Sequence, residues 1–160
     1  MAKTDVNKRI FDIYGDYAIF HPDLLIVNRK VSESIIGSLS KTIDYNIGKR
    51  IGKMVAEECL KLHVANPIIT SFEIIEYSGW GKINIDFDNG IIRIYNSLIS
   101  KYYIRHEGTS EDAVDDIIRG IIASIFEEIE GKECKVRETK CIAQGDEYCE
   151  FEVIFSGLSE

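Results

Sequence analysis

The C-terminal third of the chain contains two cysteines on either side of a turn signal. Cys141 and Cys149 are separated by seven residues that include Gly145-Asp146. Two antiparallel strands joined at this turn would bring both thiols to one point. Glu138 precedes the first thiol by three residues, and two thiolates with a carboxylate form a donor set that zinc accepts. Two buried cysteines in a metal-free hairpin would have the same spacing, because this is not the CxxC of a zinc knuckle.

Composition excludes several functional classes. The chain has 160 residues, enough for one packed domain, and a net charge of -8 without a basic cluster, which argues against a nucleic-acid partner. It has no apolar run of the roughly 18 residues that a membrane span needs. Met1 to Arg9 is polar and unlike a secretory segment, so we expect a cytoplasmic protein. In that reducing compartment four cysteines argue against disulfides.

The N-terminal half predicts short strands followed by one long helix. We interpret residues 1–31 as an N-terminal region of strands, with turn signals between them. The apolar period over residues 32–63 predicts a helix that begins near Ser32 or Ser34 and ends at Asn66-Pro67. Gly48 and Gly52 on this helix permit close approach of another backbone, within the fold or across a dimer. The predicted strands are Ile10–Tyr14, Tyr17–Phe20 and Leu24–Asn28.

The middle of the chain predicts three strands. Thr70–Tyr77 is the first, and Lys82–Phe87 with Ile91–Tyr95 form a hairpin around Asn89-Gly90, the strongest short hairpin signal. A two-residue turn at that position places Ile85 opposite Ile94 and Asp86 opposite Arg93. Apolar and charged pairs then lie on opposite faces of the sheet.

A second helix and a last hairpin complete the predicted fold. Residues 110–130 have an apolar stripe of helical period, a possible capping box at Thr109 and Asp112, and Gly131 as a stop. Glu133–Cys141 and Tyr148–Phe155 predict the last two strands. The fold class is therefore α+β, an antiparallel sheet packed with helices in a single compact domain over residues 1–160.

The C-terminal half resembles the 4-vinyl reductase domain family, in the form of a stand-alone, archaeal-type hydrocarbon-binding protein. The resemblance extends over about residues 32–155 and is most specific in the tail hairpin. It implies a ligand-binding fold related to haem-based gas-sensor domains and to vesicle-tethering subunits, all of which enclose an apolar ligand or acyl chain. The matching residues are Asn96-Ser97-Leu98, Gly120, Val136-Arg137-Glu138, Cys141, Gly145, Cys149 and Phe151.

The resemblance also implies a structural zinc site. In the zinc-binding sensors of the family the ligands are the two tail cysteines, the preceding glutamate and a helix cysteine, which correspond to Cys141, Cys149, Glu138 and the position of Asp115. Here the fourth residue is Asp instead of Cys, so the donor set is harder than a thiolate-rich one. Asp115 is a metal ligand, a solvated acid in the first turn of a helix, or a sign that the metal has been lost.

An apolar pocket is the second expectation. The apolar residues of the second helix and the sheet either line a cavity or fill a core, and periodicity alone does not separate the two. The resemblance favours a pocket for a small apolar or aromatic ligand. The expected lining residues are Phe72, Ile74, Trp80, Ile85, Ile94, Ile118 and Ile122.

Three functions follow as hypotheses. The first is a small-molecule binding or sensing domain, a homodimer with the first helix as its interface. The second is a tetrapyrrole vinyl reductase or its accessory factor, although no nicotinamide or flavin motif is visible. The third is a dimeric scaffold. His21, His63 and His106 suggest no nucleophilic arrangement, so we assign no catalytic residue, although His106 is a reserve metal ligand.

Overall fold

The computed structural model describes residues 23–156, which form five α-helices and one four-stranded sheet. The helices are α1 (Asp23–Ile36), α2 (Leu39–Lys61), α3 (Pro67–Tyr77), α4 (Leu98–Glu107) and α5 (Asp116–Glu130). The strands are β1 (Lys82–Asp86), β2 (Ile91–Tyr95), β3 (Cys134–Lys140) and β4 (Cys149–Phe155). Neighbouring strands pair antiparallel in the order β1-β2-β4-β3.

Helix α5 lies at the centre of this arrangement and is buried on nearly all sides. Its isoleucines join those of β2 and the apolar side chains of β3 and β4 in one core. On its other side α5 packs against α2 at very short range. A Cβ at Gly48 would lie 1.9 Å from the carbonyl oxygen of Ile117, and one at Gly120 would lie 2.0 Å from that of Tyr45. The close approach that the glycines permitted is therefore made within the fold.

The N-terminal prediction is wrong where the structure describes it. The expected strand Leu24–Asn28 lies in helix α1, because Leu24, Val27 and Val31 recur at helical and not at strand spacing. The long helix expected over residues 32–63 is two helices, separated at Gly37, whose φ of 59° no helical residue adopts. The expected caps Ser32 and Ser34 therefore lie inside α1. Ile10–Tyr14 and Tyr17–Phe20 lie outside the described residues.

The strand expected at Thr70–Tyr77 is also wrong, because this segment belongs to helix α3. Asn66 and Pro67, interpreted as the end of a helix, begin one. The Asn66 side chain accepts a hydrogen bond from the Ile69 backbone amide at 3.1 Å, and Pro67 occupies the first helical position. Proline is favoured there because its missing N–H has no partner in a helix in any case.

Helices α4 and α5 begin where local signals were weak. Residues 98–107 form α4, for which the sequence gave no clear pattern, with Ser97 as its N-cap. The second predicted helix begins at Asp116 instead of residue 110. Thr109 and Asp112 make no capping box, and the Asp112 carboxylate pairs with Lys41 Nζ at 2.7 Å. Gly131 ends α5 in the left-handed conformation, as expected.

Both predicted hairpins are present, and the first has a different register. Ile85 pairs with Ile92 and Ile83 with Ile94, so Asp86 faces Ile91 instead of Arg93. The register differs from the expected one by two residues because the turn has four residues instead of two. A shift of two keeps every side chain on its face, so the isoleucines still point to one side. The last two strands lie within one residue of the prediction.

Candidate metal centre and cavity

Four potential metal ligands converge at one end of α5. Asp115, Glu138, Cys141 and Cys149 each offer one ligand atom, and these atoms all lie within 4.8 Å of one another. Asp115 and both cysteines are fully buried. The four residues proposed from sequence are therefore brought together, although they come from a helix N-terminus and from two strands.

A β-bulge explains how Glu138 and Cys141 reach the same site. Residues three apart in a regular strand point to opposite faces. The pairing of β3 with β4 shifts register between Glu138 and Lys140, which inserts an extra residue and reverses the alternation. Both Glu138 and Cys141 then face the interior, where Cys149 at the start of β4 also points.

The turn between the two cysteines is held by its own hydrogen bonds. The backbone amide of Cys141 donates to Asp146 Oδ2 at 2.9 Å, and Gly145 adopts a φ of 104° that favours glycine. The backbone amide of Ile142 donates to Cys149 Sγ at 3.3 Å, which favours a thiolate at that sulfur.

Each carboxylate in the cluster uses one oxygen within the protein and leaves the other without a partner. Asp115 Oδ2 accepts hydrogen bonds from Ser97 Oγ at 2.8 Å and Ser100 Oγ at 3.0 Å. Glu138 Oε2 accepts one from the Asp115 backbone amide at 3.2 Å. Asp115 Oδ1 and Glu138 Oε1 are buried and have no hydrogen-bond partner among the described residues. Unpaired buried carboxylate oxygens are costly, and a bound cation is one way to compensate them.

Electrostatics of the cluster reflect four acids in one buried volume. Burial raises the pKa of Asp115 to about 6. Burial, followed by the charges of Asp115 and Cys141, raises the pKa of Glu138 to about 11. The hydrogen bond between the two thiols lowers the pKa of Cys141 to about 5 and raises the pKa of Cys149. Without a cation, protons therefore stay on Glu138 and Cys149 at neutral pH.

The residues present fit a divalent metal ion. Two sulfurs and two free carboxylate oxygens at this spacing form a four-ligand set of the kind that zinc accepts. The other two cysteines lie elsewhere in the core, where Cys134 Sγ donates to the Ala123 carbonyl at 3.4 Å and Cys59 is buried on α2. His106, the reserve ligand, contacts Asp23 Oδ1 at 2.8 Å instead.

An apolar cavity lies at the other end of α5. Its volume is about 330 Å³, and its interior is formed by aliphatic and aromatic side chains from the sheet, α3 and α5. Asp86, Glu130, Lys132 and Ser156 contribute polar groups. The apolar lining residues are Ile68, Ile85, Phe87, Ile91, Ile92, Phe126, Val153 and Phe155.

Comparison with known proteins identifies the family. The model of the 4-vinyl reductase domain matches residues 94–155. Uncharacterized protein MJ0150 of Methanocaldococcus jannaschii is 32% identical over 164 aligned residues, which span 94% of this chain and 91% of that protein. Uncharacterized protein MJ1460 of the same organism is 29% identical over 130 residues, 81% of this chain and 73% of that protein. The chain belongs to the 4-vinyl reductase domain family.

Two solved structures show that the fold of this 4-vinyl reductase domain is shared. The phenol-responsive sensory domain of the transcription activator PoxR, crystallised with phenol, superposes with a TM-score of 0.74 at 15% identity and covers 100% of this chain and 94% of its own. A vinyl-4-reductase family protein from Methanocaldococcus jannaschii gives a TM-score of 0.61 at 24% identity, with 88% and 84% covered. The α+β fold and the family expected from the sequence are confirmed.

The 4-vinyl reductase domain places the expected pocket residues differently from the prediction. Ile85 lines the cavity, and Phe72 borders a second, open groove between α3 and β1. Ile94, Ile118 and Ile122 are packed into the core with an exposure of 1% each. Ile74 and Trp80 are half-buried. Sequence analysis missed the cavity residues of β4 and the C-terminal half of α5, because their spacing is that of an ordinary core.

Membrane-spanning segments are absent from the described part of the domain. Among residues 23–156 no helix has both the length and the apolar character that crossing a bilayer requires.

Proposed function

We propose that this 4-vinyl reductase domain binds a small apolar or aromatic molecule in the cavity at the C-terminal end of α5. The observation that supports this most directly is the cavity itself, about 330 Å³ in volume with an apolar interior. This volume lies in the range of small-molecule sites. It is roughly twice that of an engineered cavity of about 150 Å³ that binds benzene. Apolar burial at about 25 cal/mol per Å² would supply a few kcal/mol of binding free energy without a charged partner.

The comparison with the phenol-responsive domain is consistent with this proposal. That domain has the same fold and is a sensory domain for a small aromatic molecule. The likeness in sequence is low, so the ligand of this chain is inferred from the chemistry of its own cavity. The apolar interior favours a ligand that is mainly hydrocarbon, with any polar group directed to the mouth.

We further propose that the cluster of Asp115, Glu138, Cys141 and Cys149 binds zinc with a structural role. The support is the pair of buried carboxylate oxygens without partners beside two thiols. Four protein ligands leave no position open for a reactive water. The metal would connect the N-terminus of α5 to the tail hairpin, and binding would displace the protons of Glu138 and Cys149.

Ligand binding can be tested by filling the cavity. Val153→Phe places a larger side chain into the cavity, whereas Ile154→Phe on the same strand is the matched control because Ile154 is exposed. We expect naphthalene to raise the melting temperature of the wild type and of Ile154→Phe, since a ligand of the folded state stabilises it. Val153→Phe should respond little. The proposal is wrong if none of benzene, toluene, naphthalene or indole stabilises the wild type.

Metal binding can be tested by elemental analysis of protein purified without added metal. We expect about one zinc per chain in the wild type and in Cys59→Ser, a buried cysteine far from the cluster in sequence. Cys141→Ser should lose the zinc and melt at a lower temperature. Equal zinc content in Cys141→Ser and in Cys59→Ser would exclude Cys141 as a necessary ligand.

We also propose that two copies associate through α1 and α2. Each helix exposes an apolar stripe, and Ile35 is 74% exposed. The stripes expose on the order of 600 Å², at the upper end for a monomer patch and near the roughly 800 Å² that each partner contributes to a standard interface. We call this surface the α1–α2 apolar face; its residues are Leu24, Val27, Val31, Ile35, Leu39, Ile43, Ile47 and Met54.

A further inference from the structure

The N-terminus of α4 brings two serine hydroxyls onto the carboxylate of Asp115. Ser97 is the N-cap of α4, and its Oγ lies 2.8 Å from Asp115 Oδ2. Ser100, in the first turn, places its Oγ 3.0 Å from the same oxygen. All three residues are fully buried. Neither serine belongs to the four-ligand cluster, so their role needs a separate explanation.

These hydroxyls have definite hydrogen-bonding roles. Ser97 Oγ also accepts the backbone amide of Ser100 at 3.4 Å, so its single hydrogen is available for Asp115. Ser100 Oγ lies 3.4 Å from the sulfurs of both Cys141 and Cys149. One serine pair thus contacts three of the four groups in the cluster.

The consequence for Asp115 is a fixed orientation. With Oδ2 held by two hydroxyls, the carboxylate cannot rotate without losing both hydrogen bonds, and its free Oδ1 is the oxygen available to a cation. A thiolate at the same position has one donor atom. It could not accept from both serines and bind a metal with equal ease, because sulfur is a weak acceptor.

We propose that Ser97 and Ser100 are positioning residues that make a carboxylate the fourth ligand of this site and favour zinc over softer cations such as Cd²⁺. This inference rests on the proposed metal site. In the zinc-bound protein the serines hold Asp115 in a one-oxygen binding geometry, which tightens the oxygen half of the donor set. Cd²⁺ depends more on the two thiolates and gains less from that half.

The test is a cycle of variants with two metals. Affinities for Zn²⁺ and Cd²⁺ are measured by competition with a chromophoric chelator for the wild type, Ser97→Ala/Ser100→Ala, Asp115→Cys, and the combination. We expect the serine pair to contribute about 10- to 100-fold to Zn²⁺ affinity when residue 115 is Asp. The loss for Cd²⁺ should be smaller. When residue 115 is Cys, the same substitutions should change Zn²⁺ affinity by less than about threefold.

Controls separate positioning from a general structural effect. Ser71→Ala removes a buried hydroxyl on α3 whose oxygen has no hydrogen-bond partner among the described residues, and it should change neither affinity. Ser100→Ala alone keeps the Ser97 cap and serves if the double variant does not fold.

Three results would overturn the inference while the metal site stands. They are unchanged Zn²⁺ affinity in the serine variants, equal losses for Zn²⁺ and Cd²⁺, and equal losses with Asp or Cys at residue 115. If the wild type binds neither metal, the proposed zinc site itself is wrong, and this inference with it.

Discussion

Among single residues, the least expected feature is a buried group of charges near the metal cluster. Arg29 of α1 is 4% exposed, and its Nη1 donates to the Val114 carbonyl at 2.6 Å. Its guanidinium lies 3.7 Å from Asp44 and 3.6 Å from Asp116. A buried cation with two carboxylates fixes the position of α1 because removing any member leaves a buried charge unpaired.

The pH dependence of stability tests this group at Asp44. Burial raises the pKa of Asp44 from 3.8 to about 6 although Arg29 opposes the shift. As pH rises through this interval the unfolded chain releases its proton first, so the wild type loses stability relative to Asp44→Asn. Urea unfolding should show the variant gaining on the wild type by up to about 3 kcal/mol between about pH 4 and 6, with a constant difference above.

Asp112→Asn is the control with the opposite sign. The hydrogen bond from Lys41 lowers the pKa of Asp112, so the wild type gains stability as pH rises through the unfolded pKa and the variant does not. A stability difference for Asp44→Asn that is independent of pH would contradict the raised pKa.

Among the secondary-structure elements, the contact of α2 with α5 sets the geometry of the interior. Buried positions of α2 recur every four residues and are all small or short: Ser40, Asp44, Gly48, Gly52 and Ala56. This stripe lets α5 approach until backbone meets backbone. The position of Asp115, and so of the metal cluster, depends on that approach.

Gly48→Ala should therefore be strongly destabilising. Its Cβ would lie 1.9 Å from the Ile117 carbonyl oxygen, so the helices must separate. We expect a loss of about 3 kcal/mol or more in the free energy of unfolding, at the upper end for an overpacked core. Asn46→Ala, at an exposed position of the same helix, should change it by less than about 0.5 kcal/mol. Equal stability of both variants would show that α2 and α5 can adjust freely.

In the molecule as a whole, the candidate metal cluster and the cavity lie at opposite ends of α5. Asp115 precedes the helix, whereas Phe126 and Glu130 in its last turns line the cavity. At 1.5 Å per residue, Asp115 and Phe126 are about 16 Å apart along the axis. The metal is thus positioned to stabilise the fold without contacting the ligand.

This separation predicts independent effects. Cys141→Ser should lower the melting temperature and leave the affinity for naphthalene within about threefold of the wild-type value, measured by titration at a temperature where both proteins are folded. Val153→Phe should do the reverse, losing ligand affinity and keeping its zinc. A large drop in ligand affinity in Cys141→Ser would mean that the two ends are coupled.

The oligomeric state is the remaining property of the whole molecule. Ile35→Glu introduces a charge into the α1–α2 apolar face, at a residue that is already exposed, so the fold should tolerate it. Light scattering at micromolar concentration should give a dimer for the wild type and a monomer for the variant. Lys101→Glu, exposed on α4, is the control and should remain dimeric. A monomeric wild type would contradict the proposed interface.

Local sequence signals were sufficient for the elements that depend on near neighbours only. The tail hairpin, the apolar stripe of α5 and the stop at Gly131 were predicted because turn residues and helical period act over a few positions. The α+β class followed from them. The four-residue cluster combined the spacing of Glu138, Cys141 and Cys149 with Asp115, which only the family resemblance suggested.

Contacts between distant segments determined the rest. Thr70–Tyr77 has β-branched residues yet forms α3, because its cap and its packing outweigh a weak local preference. The bulge that turns Cys141 inward exists only through pairing with β4. A periodic apolar stripe shows that a side chain is covered but not by what, so Ile118 and Ile122 filled the core while the cavity formed around Phe126 and Val153.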